Sequence, residues 1–256
     1  MSKKEHLVNP RYFHCYLYEF DSASRDRIII KISIFPDFPQ NDFSVKLNKE
    51  KSGIVLGIKD ELPFISGICY HKYKTVKWSF SNEIITLTIF KEDPSIHWPV
   101  LIKYPLPKHN IDPLSALLLS QRLMSDHQSD AKNFLMFSVN RRFPPAIVTY
   151  VSSIYGLGLP ISEYLPLLYS CVNDYKFSPA GLLIGNMCLS NSVPIDVYLP
   201  LLKICAYELN DINAKFLLTT FLSPKRDPHG PFEDAIETIS LLEEIKDCFP
   251  LAKSEL

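Results

Sequence analysis

The chain has 256 residues, 46% apolar and 21% charged, the composition of a folded globular protein and not of a disordered or fibrous one. Eight glycines against 20 prolines leave few positive-φ positions for a phosphate-cradling loop, and a net charge of −1 gives no whole-molecule attraction to a polyanion, so nucleotide enzymes and nucleic-acid partners are not expected. The length exceeds the roughly 100–150 residues of a common domain, and the halves differ in sign: residues 1–111 carry 16 basic and 12 acidic side chains (+4), residues 112–256 carry 11 and 16 (−5).

In chain order, the opening Met1-Ser2-Lys3-Lys4-Glu5-His6 leads into polar and aromatic residues and not into a signal-type apolar core. No window approaches the ~18 consecutive apolar residues of a membrane span. A soluble cytoplasmic protein with no membrane partner is expected. The six cysteines (15, 69, 171, 188, 205 and 248) include no pair at C-x-x-C spacing and read as reduced, mostly buried thiols.

From Cys15 to Lys91 the apolar period is two, the signature of half-buried strands. Predicted strands are Cys15 to Phe20, Ile28 to Ile34, Phe43 to Leu47, Ile54 to Ile58, Phe64 to Tyr70, Val76 to Phe80 and Ile85 to Ile89, with turn-forming residues between them and no helical pattern. About seven such strands predict an antiparallel β-sandwich. Trp78 falls on the inward face of its strand and is expected to anchor the core. Trp98, beside Pro99 in a proline-rich segment, either staples the chain back onto the sandwich or touches a partner. The run His71-Lys72-Tyr73-Lys74-Thr75-Val76-Lys77-Trp78 is open to three readings: a strand edge protected by lysine, a patch for an acidic protein, or a single-stranded nucleic-acid site.

The segments Leu62-Pro63-Phe64-Ile65-Ser66-Gly67-Ile68-Cys69-Tyr70, Val76-Lys77-Trp78-Ser79-Phe80, Ile85-Thr86-Leu87-Thr88-Ile89-Phe90-Lys91 and His97-Trp98-Pro99-Val100-Leu101 together resemble the CS domain. That domain is shared by relatives of nuclear distribution protein C (NudC) and by small co-chaperones of the ninety-kilodalton heat-shock chaperone. The resemblance covers residues 12–104. Tyr16-Leu17-Tyr18 stands where the family often has Trp, and Val100 where the co-chaperone branch has Arg after Trp-Pro. The resemblance implies a β-sandwich that binds a chaperone or client chains, with Trp98, Pro99, Leu101, Lys72, Lys74 and Lys77 as candidate partner-binding residues.

A Pro-rich linker is expected over residues 105–111, and beyond it the period changes to 3.6. At an offset of 34, Pro145-Ala146 matches Pro179-Ala180, Pro160 matches Pro194, Tyr164 to Leu168 matches Tyr198 to Leu202, and Cys171 matches Cys205, with Asn213-Ala214 opening a third copy. Such repetition predicts an all-α helical-repeat solenoid over residues 112–250, with units at 112–142, 144–177, 178–211 and 212–223. Each full copy is read as two helices. They meet at Gly156-Leu157-Gly158 or Ser190-Asn191-Ser192, and Ser162 and Asp196 are the expected N-caps. Ala146, Ala180, Ile184-Gly185 and the Gly-x-Gly before Pro160 resemble Sel-one-like repeats, relatives of the tetratricopeptide. A capping helix is expected over 231–247, with Phe232, Ala235, Ile236, Ile239, Leu242 and Ile245 as its apolar stripe.

No residue set makes a catalytic or cofactor site. Ser125, Asp126 and His127 are consecutive and point apart, and Cys171, Cys188 and Cys205 lack zinc-ligand neighbours. The fold class expected is therefore α+β multidomain, a CS-type sandwich followed by a helical-repeat array. The function expected is that of a non-enzymatic co-chaperone or chaperone adaptor without metal or cofactor, its partners a heat-shock chaperone, client proteins and a further protein held by the repeats. A NudC-like scaffold for dynein or microtubule-linked assembly is the alternative.

Overall fold

The computed structural model describes residues 7–106, 111–155, 157, 160–190, 193–222, 235–250 and 252. The chain divides into two compact units, Met1–Ala146 and Ile147–Leu256.

The first unit is a β-sandwich followed by two helices. Its strands are β1 (Glu19–Asp21), β2 (Arg27–Ser33), β3 (Phe43–Leu47), β4 (Gly53–Ile58), β5 (Ile65–Cys69), β6 (Tyr73–Ser81), β7 (Ile84–Lys91) and β8 (Ile102–Tyr104). They form two four-stranded antiparallel sheets, in the orders β1-β2-β7-β6 and β3-β4-β5-β8. The period-two pattern does the expected work: Ile28, Ile30 and Ile32 on β2 lie opposite Ile89, Leu87 and Ile85 on β7, and all six are buried. Ile54, Leu56 and Ile58 of β4 are buried from the other sheet.

The predicted strand from Cys15 to Phe20 forms only at its end. Pro10–Tyr16 is a 3-10 helix, entered through Asn9, whose side chain accepts from the Arg11 amide. Contacts with aromatic residues distant in the chain accompany the departure. Tyr12 stacks on Phe35 and also meets Phe64, and Tyr16 meets Phe64 edge-on at 5.1 Å and donates its hydroxyl to the Leu62 carbonyl at 2.7 Å.

The unit boundary lies at Ala146/Ile147, later than the linker predicted over 105–111, of which residues 107–110 lie outside the described residues. Helices α1 (Pro113–Ser125) and α2 (Ala131–Asn140), assigned from sequence to the first repeat, belong to the unit of the sandwich. Asp112 explains this. Its carboxylate caps α1 by accepting from the Ser115 amide at 2.8 Å, accepts from the Ser66 amide of β5 at 3.0 Å, and its own amide donates to the Ser66 carbonyl. The Tyr18 and Ser115 hydroxyls bond at 2.9 Å beside it. Helix α1 is thus fastened to the sandwich, lying against β5 and β8.

The second unit holds most of α3 (Pro144–Tyr155), then α4 (Ile161–Asn173), α5 (Ser178–Leu189), α6 (Ile195–Lys203), a π-helical turn (Ile204–Glu208), α7 (Ile212–Leu222) and α8 (Ala235–Ile245). The 34-residue offset survives in three dimensions: α3, α5 and α7 begin at 144, 178 and 212, and α4 and α6 at 161 and 195. Arg142, Lys176 and Asn210 precede α3, α5 and α7 by two residues, and each takes a left-handed conformation, φ 60°, 54° and 53°. Within this unit α5 packs on α4, α6 and α7, and α8 packs on α7. A Cβ at Gly185 of α5 would stand 2.1 Å from the Tyr198 hydroxyl, so the absent side chain is what admits that buried tyrosine between α5 and α7.

Two local expectations are corrected. Pro160 and Pro194, not Ser162 and Asp196, occupy the N-cap positions, with no side-chain capping bond, and Pro166 and Pro200 lie inside their helices. The turns expected at 156–158 and 190–192 lie largely outside the described residues, as does the expected start of the capping helix, 231–234. On α8 the buried face is Thr238, Leu241, Leu242 and Ile245, whereas Ile236 and Ile239, written into the apolar stripe, are 83% and 55% exposed. At 100° per residue Ile236 stands nearly opposite Leu241 and Leu242, so the predicted stripe was wider than one packing face.

Candidate protein-binding surface

Of the two tryptophans, Trp98 is fully buried and Trp78 is half exposed. Trp98 is 0% exposed and Leu101 2%, so neither offers surface to a partner; of that group only Pro99 is exposed. The staple is the reading their burial matches. The segment between β7 and β8 is held by the buried Lys91, whose ammonium donates to the Ile96 carbonyl at 3.1 Å, and by the Tyr70 amide, which donates to the Leu101 carbonyl at 2.8 Å. The indole N–H of Trp98 meets no acceptor, so its burial is won by apolar packing alone.

Trp78 faces inward, as its pairing with the buried Leu87 requires, yet it is 51% exposed. The cause is topological. β6 is the last strand of its sheet and β3 the first of the other, and both lie at the same side of the sandwich, where the Phe43 ring meets Trp78 edge-on at 5.4 Å. Beyond this pair no strand among the described residues covers the inward rows. Phe80 is 38% exposed, Leu47 is exposed, and Phe43, Val45 and Val76 are half-buried. Between the two edges opens a groove of about 210 Å³ lined by Phe38, Gln40, Asn41, Phe43, Trp78, Phe80 and Ile85. One end is closed where the Tyr73 amide donates to the Lys51 carbonyl and the Tyr73 hydroxyl to the Gly53 carbonyl, both at 2.9 Å.

The lysines expected at a partner surface lie on or beside this edge. Lys72, Lys74 and Lys77 are exposed, as is Lys46 on β3, and none of them has a carboxylate within 4.0 Å among the described residues. Lys77 lies on the outer face of β6, its ammonium 5.8 Å from the Phe90 ring centre. Lys74 sits in the bulge between Tyr73 and Thr75. The structure therefore sets these lysines along the same strand as an aromatic groove that the sequence did not single out. Phe38, Phe43 and Phe80 were missed because alternation reports which face a residue occupies and not whether a second sheet reaches over it.

Burial pushes the thiols of Cys15, Cys69 and Cys205 up to about 12, far from a reactive thiolate. Burial likewise raises the carboxyl of Asp112 to about 6, against the amide hydrogen bonds that favour its charged form, and burial together with the Asp112 charge raises the Tyr18 hydroxyl well above its ordinary value. Ser125 donates to the Gln121 carbonyl, Asp126 is the C-cap of α1, and His127 takes a left-handed backbone conformation, φ 53°. Among the described residues no group of three or more His, Cys, Asp or Glu is placed to hold a metal ion, and no helix is long and apolar enough to cross a membrane.

No family model and no curated protein matches the sequence. Among solved structures, the chain is similar to the nuclear movement protein from E. cuniculi GB-M1, at 16% identity, over 34% of this chain and 98% of that one, with a TM-score of 0.28. It is also similar to the CS1 domain of USP19, at 16% identity, over 34% of this chain and 95% of that one, with a TM-score of 0.26.

Proposed function

We propose that this protein is a non-enzymatic adaptor of the co-chaperone type, which holds a chaperone or its client chains through the sandwich and a further protein through the helices that follow. The observation that carries the reading is the unsealed β3/β6 side of the sandwich. There, half-exposed aromatic residues and unpaired lysines share one surface, the combination of apolar anchor and charged rim that protein interfaces use. The CS-like segments noted in the sequence fall on β5, β6, β7 and the Trp98 staple, which form a two-sheet antiparallel sandwich. The repeated helix starts at 144, 178 and 212 support reading the helical part as a repeat array whose surface recruits the second partner.

The test is copurification of the full chain with the ninety-kilodalton heat-shock chaperone, together with suppression of aggregation of a heat-denatured model client. Both are expected, and both should weaken in a Trp78→Ala variant. Loss of both in the unaltered chain rejects the reading. Recovery of motor components in place of chaperone would favour the NudC-like scaffold, the alternative drawn from the same resemblance.

A further inference from the structure

β6 is nine residues long and ends its sheet, so along one side its backbone N–H and C=O groups have no strand partner. Sheets of natural proteins blunt such edges with bulges and lysines. Here both devices are concentrated in the first half, at the bulge between Tyr73 and Thr75, at Lys74 and at Lys77. From Trp78 to Ser81 the pairing with β7 is regular and the edge carries no charge. A strand laid along this edge would extend the sheet, and its side chains would alternate in the same way as those of β6.

That alternation specifies the occupant. Side chains on the inner side would enter the groove beside Trp78, Phe80 and Phe43, a space of about 210 Å³ with a mostly aromatic lining. Side chains on the outer side would continue the row of Thr75, Lys77 and Ser79. Lys74 and Lys77 are exposed there and have no carboxylate partner among the described residues. Exposed acidic groups, Asp42 and Glu83, stand instead near the Phe80 end of the groove, so the charge along the edge runs from basic to acidic.

We propose that the β3/β6 edge is a strand-addition site for an extended acidic peptide of a partner protein, with apolar side chains at alternate positions filling the Trp78/Phe80 groove and intervening carboxylates facing Lys74 and Lys77. The inference rests on the protein-binding reading above and names the class of its ligand. Main-chain pairing supplies affinity, and the pockets for alternate side chains supply selection. A second copy of this chain fits the edge less well, because antiparallel pairing of two β6 strands centred near Lys77 sets lysine against lysine.

The probe is a fluorescein-labelled nonapeptide of alternating valine and aspartate, titrated against the full chain by fluorescence anisotropy. Three control ligands accompany it: the same peptide with lysine for aspartate, the same peptide N-methylated at alternate amides, and a single-stranded oligonucleotide. Binding of the acidic peptide is expected, with affinity about tenfold or more lower for Trp78→Ala. The double variant Lys74→Glu, Lys77→Glu should reverse the preference toward the lysine peptide. N-methylation of the edge-facing amides should abolish binding.

Circular dichroism of each variant separates lost binding from lost folding, and Phe80→Ser supplies a second groove variant if Trp78→Ala unfolds. Equal binding of the N-methylated peptide, tighter binding of the oligonucleotide, or a concentration-dependent dimer that the peptide cannot displace would overturn the inference. If no peptide binds while Trp78 is still needed for client protection, strand addition falls and the adaptor reading stands. If client protection and chaperone copurification are both absent as well, the adaptor reading falls with it.

Discussion

The two long sides of the sandwich are built from the same kinds of residue and finished differently. At the β1/β8 side the edge strands are three residues each, helix α1 lies against β5 and β8, and Asp112 bonds in two directions to fix it there. At the β3/β6 side the edge strands are five and nine residues long, and the inward apolar rows reach half into solvent. The contrast between Trp98 and Trp78 lies between a loop that folds back under the sandwich and a strand that outruns its cover. A core position is thus defined by what closes over it, and a stable domain can leave one flank unfinished when its other boundaries are sealed.

The comparison can be broken most forcibly at the staple. Trp98→Ala should cost about 3–5 kcal/mol of unfolding free energy in urea, because it empties a fully buried indole site. A loss below about 1 kcal/mol would show that the loop does not seal the sandwich.

Next in size is the α1 fastening, which also carries a pH signature. The native Asp112 holds its proton up to about pH 6, whereas the unfolded chain releases it near the ordinary aspartate value. Between these values the native state binds more protons than the unfolded one, so this group's stability contribution is greatest below about pH 4, falls as pH rises to about 6, and is level above. The stability advantage of the unaltered chain over Asp112→Asn should therefore shrink by roughly 2–3 kcal/mol from pH 4 to pH 7. An unchanged difference would mean that the carboxyl is already ionised in the fold.

A smaller loss, about 1 kcal/mol, is expected for Tyr16→Phe, which removes the hydroxyl donated to Leu62 while keeping the ring against Phe64. The smallest stability effect belongs to Trp78→Phe, within about 0.5–1 kcal/mol, since much of that side chain is already in water. The chain has two tryptophans, so acrylamide quenching reads them separately. Emission from Trp78→Phe, which leaves the buried indole, should be weakly quenched, and emission from Trp98→Phe strongly.

Much of this architecture was legible where a single periodicity governs a segment. The alternating isoleucines of β2, the Phe43–Leu47 and Ile54–Ile58 strands, and the 34-residue spacing of the helix starts follow from local pattern. What escaped depends on partners distant in the chain. The 3-10 turn at Pro10–Tyr16 forms because Phe35 and Phe64 wait for its aromatic rings. Helix α1 joined the sandwich through Asp112 and Ser66, residues 46 positions apart. The lysines of β6 were visible as a run, but the groove along the same strand needed Phe38 from the β2–β3 connection and Phe43 from the other sheet. On α8, Ile236 and Ile239 were apolar without being covered, because the helix turns Leu241 and Leu242 inward instead.

The left-handed residues at 142, 176 and 210 bear on how the helical part can change length. Each hands the chain to the next helix through nearly the same torsion, so a spliced duplicate of residues 178–211, placed after Asp211, would meet Ile212 at a junction the fold already uses. Growth or trimming by one whole cassette then leaves every turn intact, whereas an insertion of any other length would have to invent a new one.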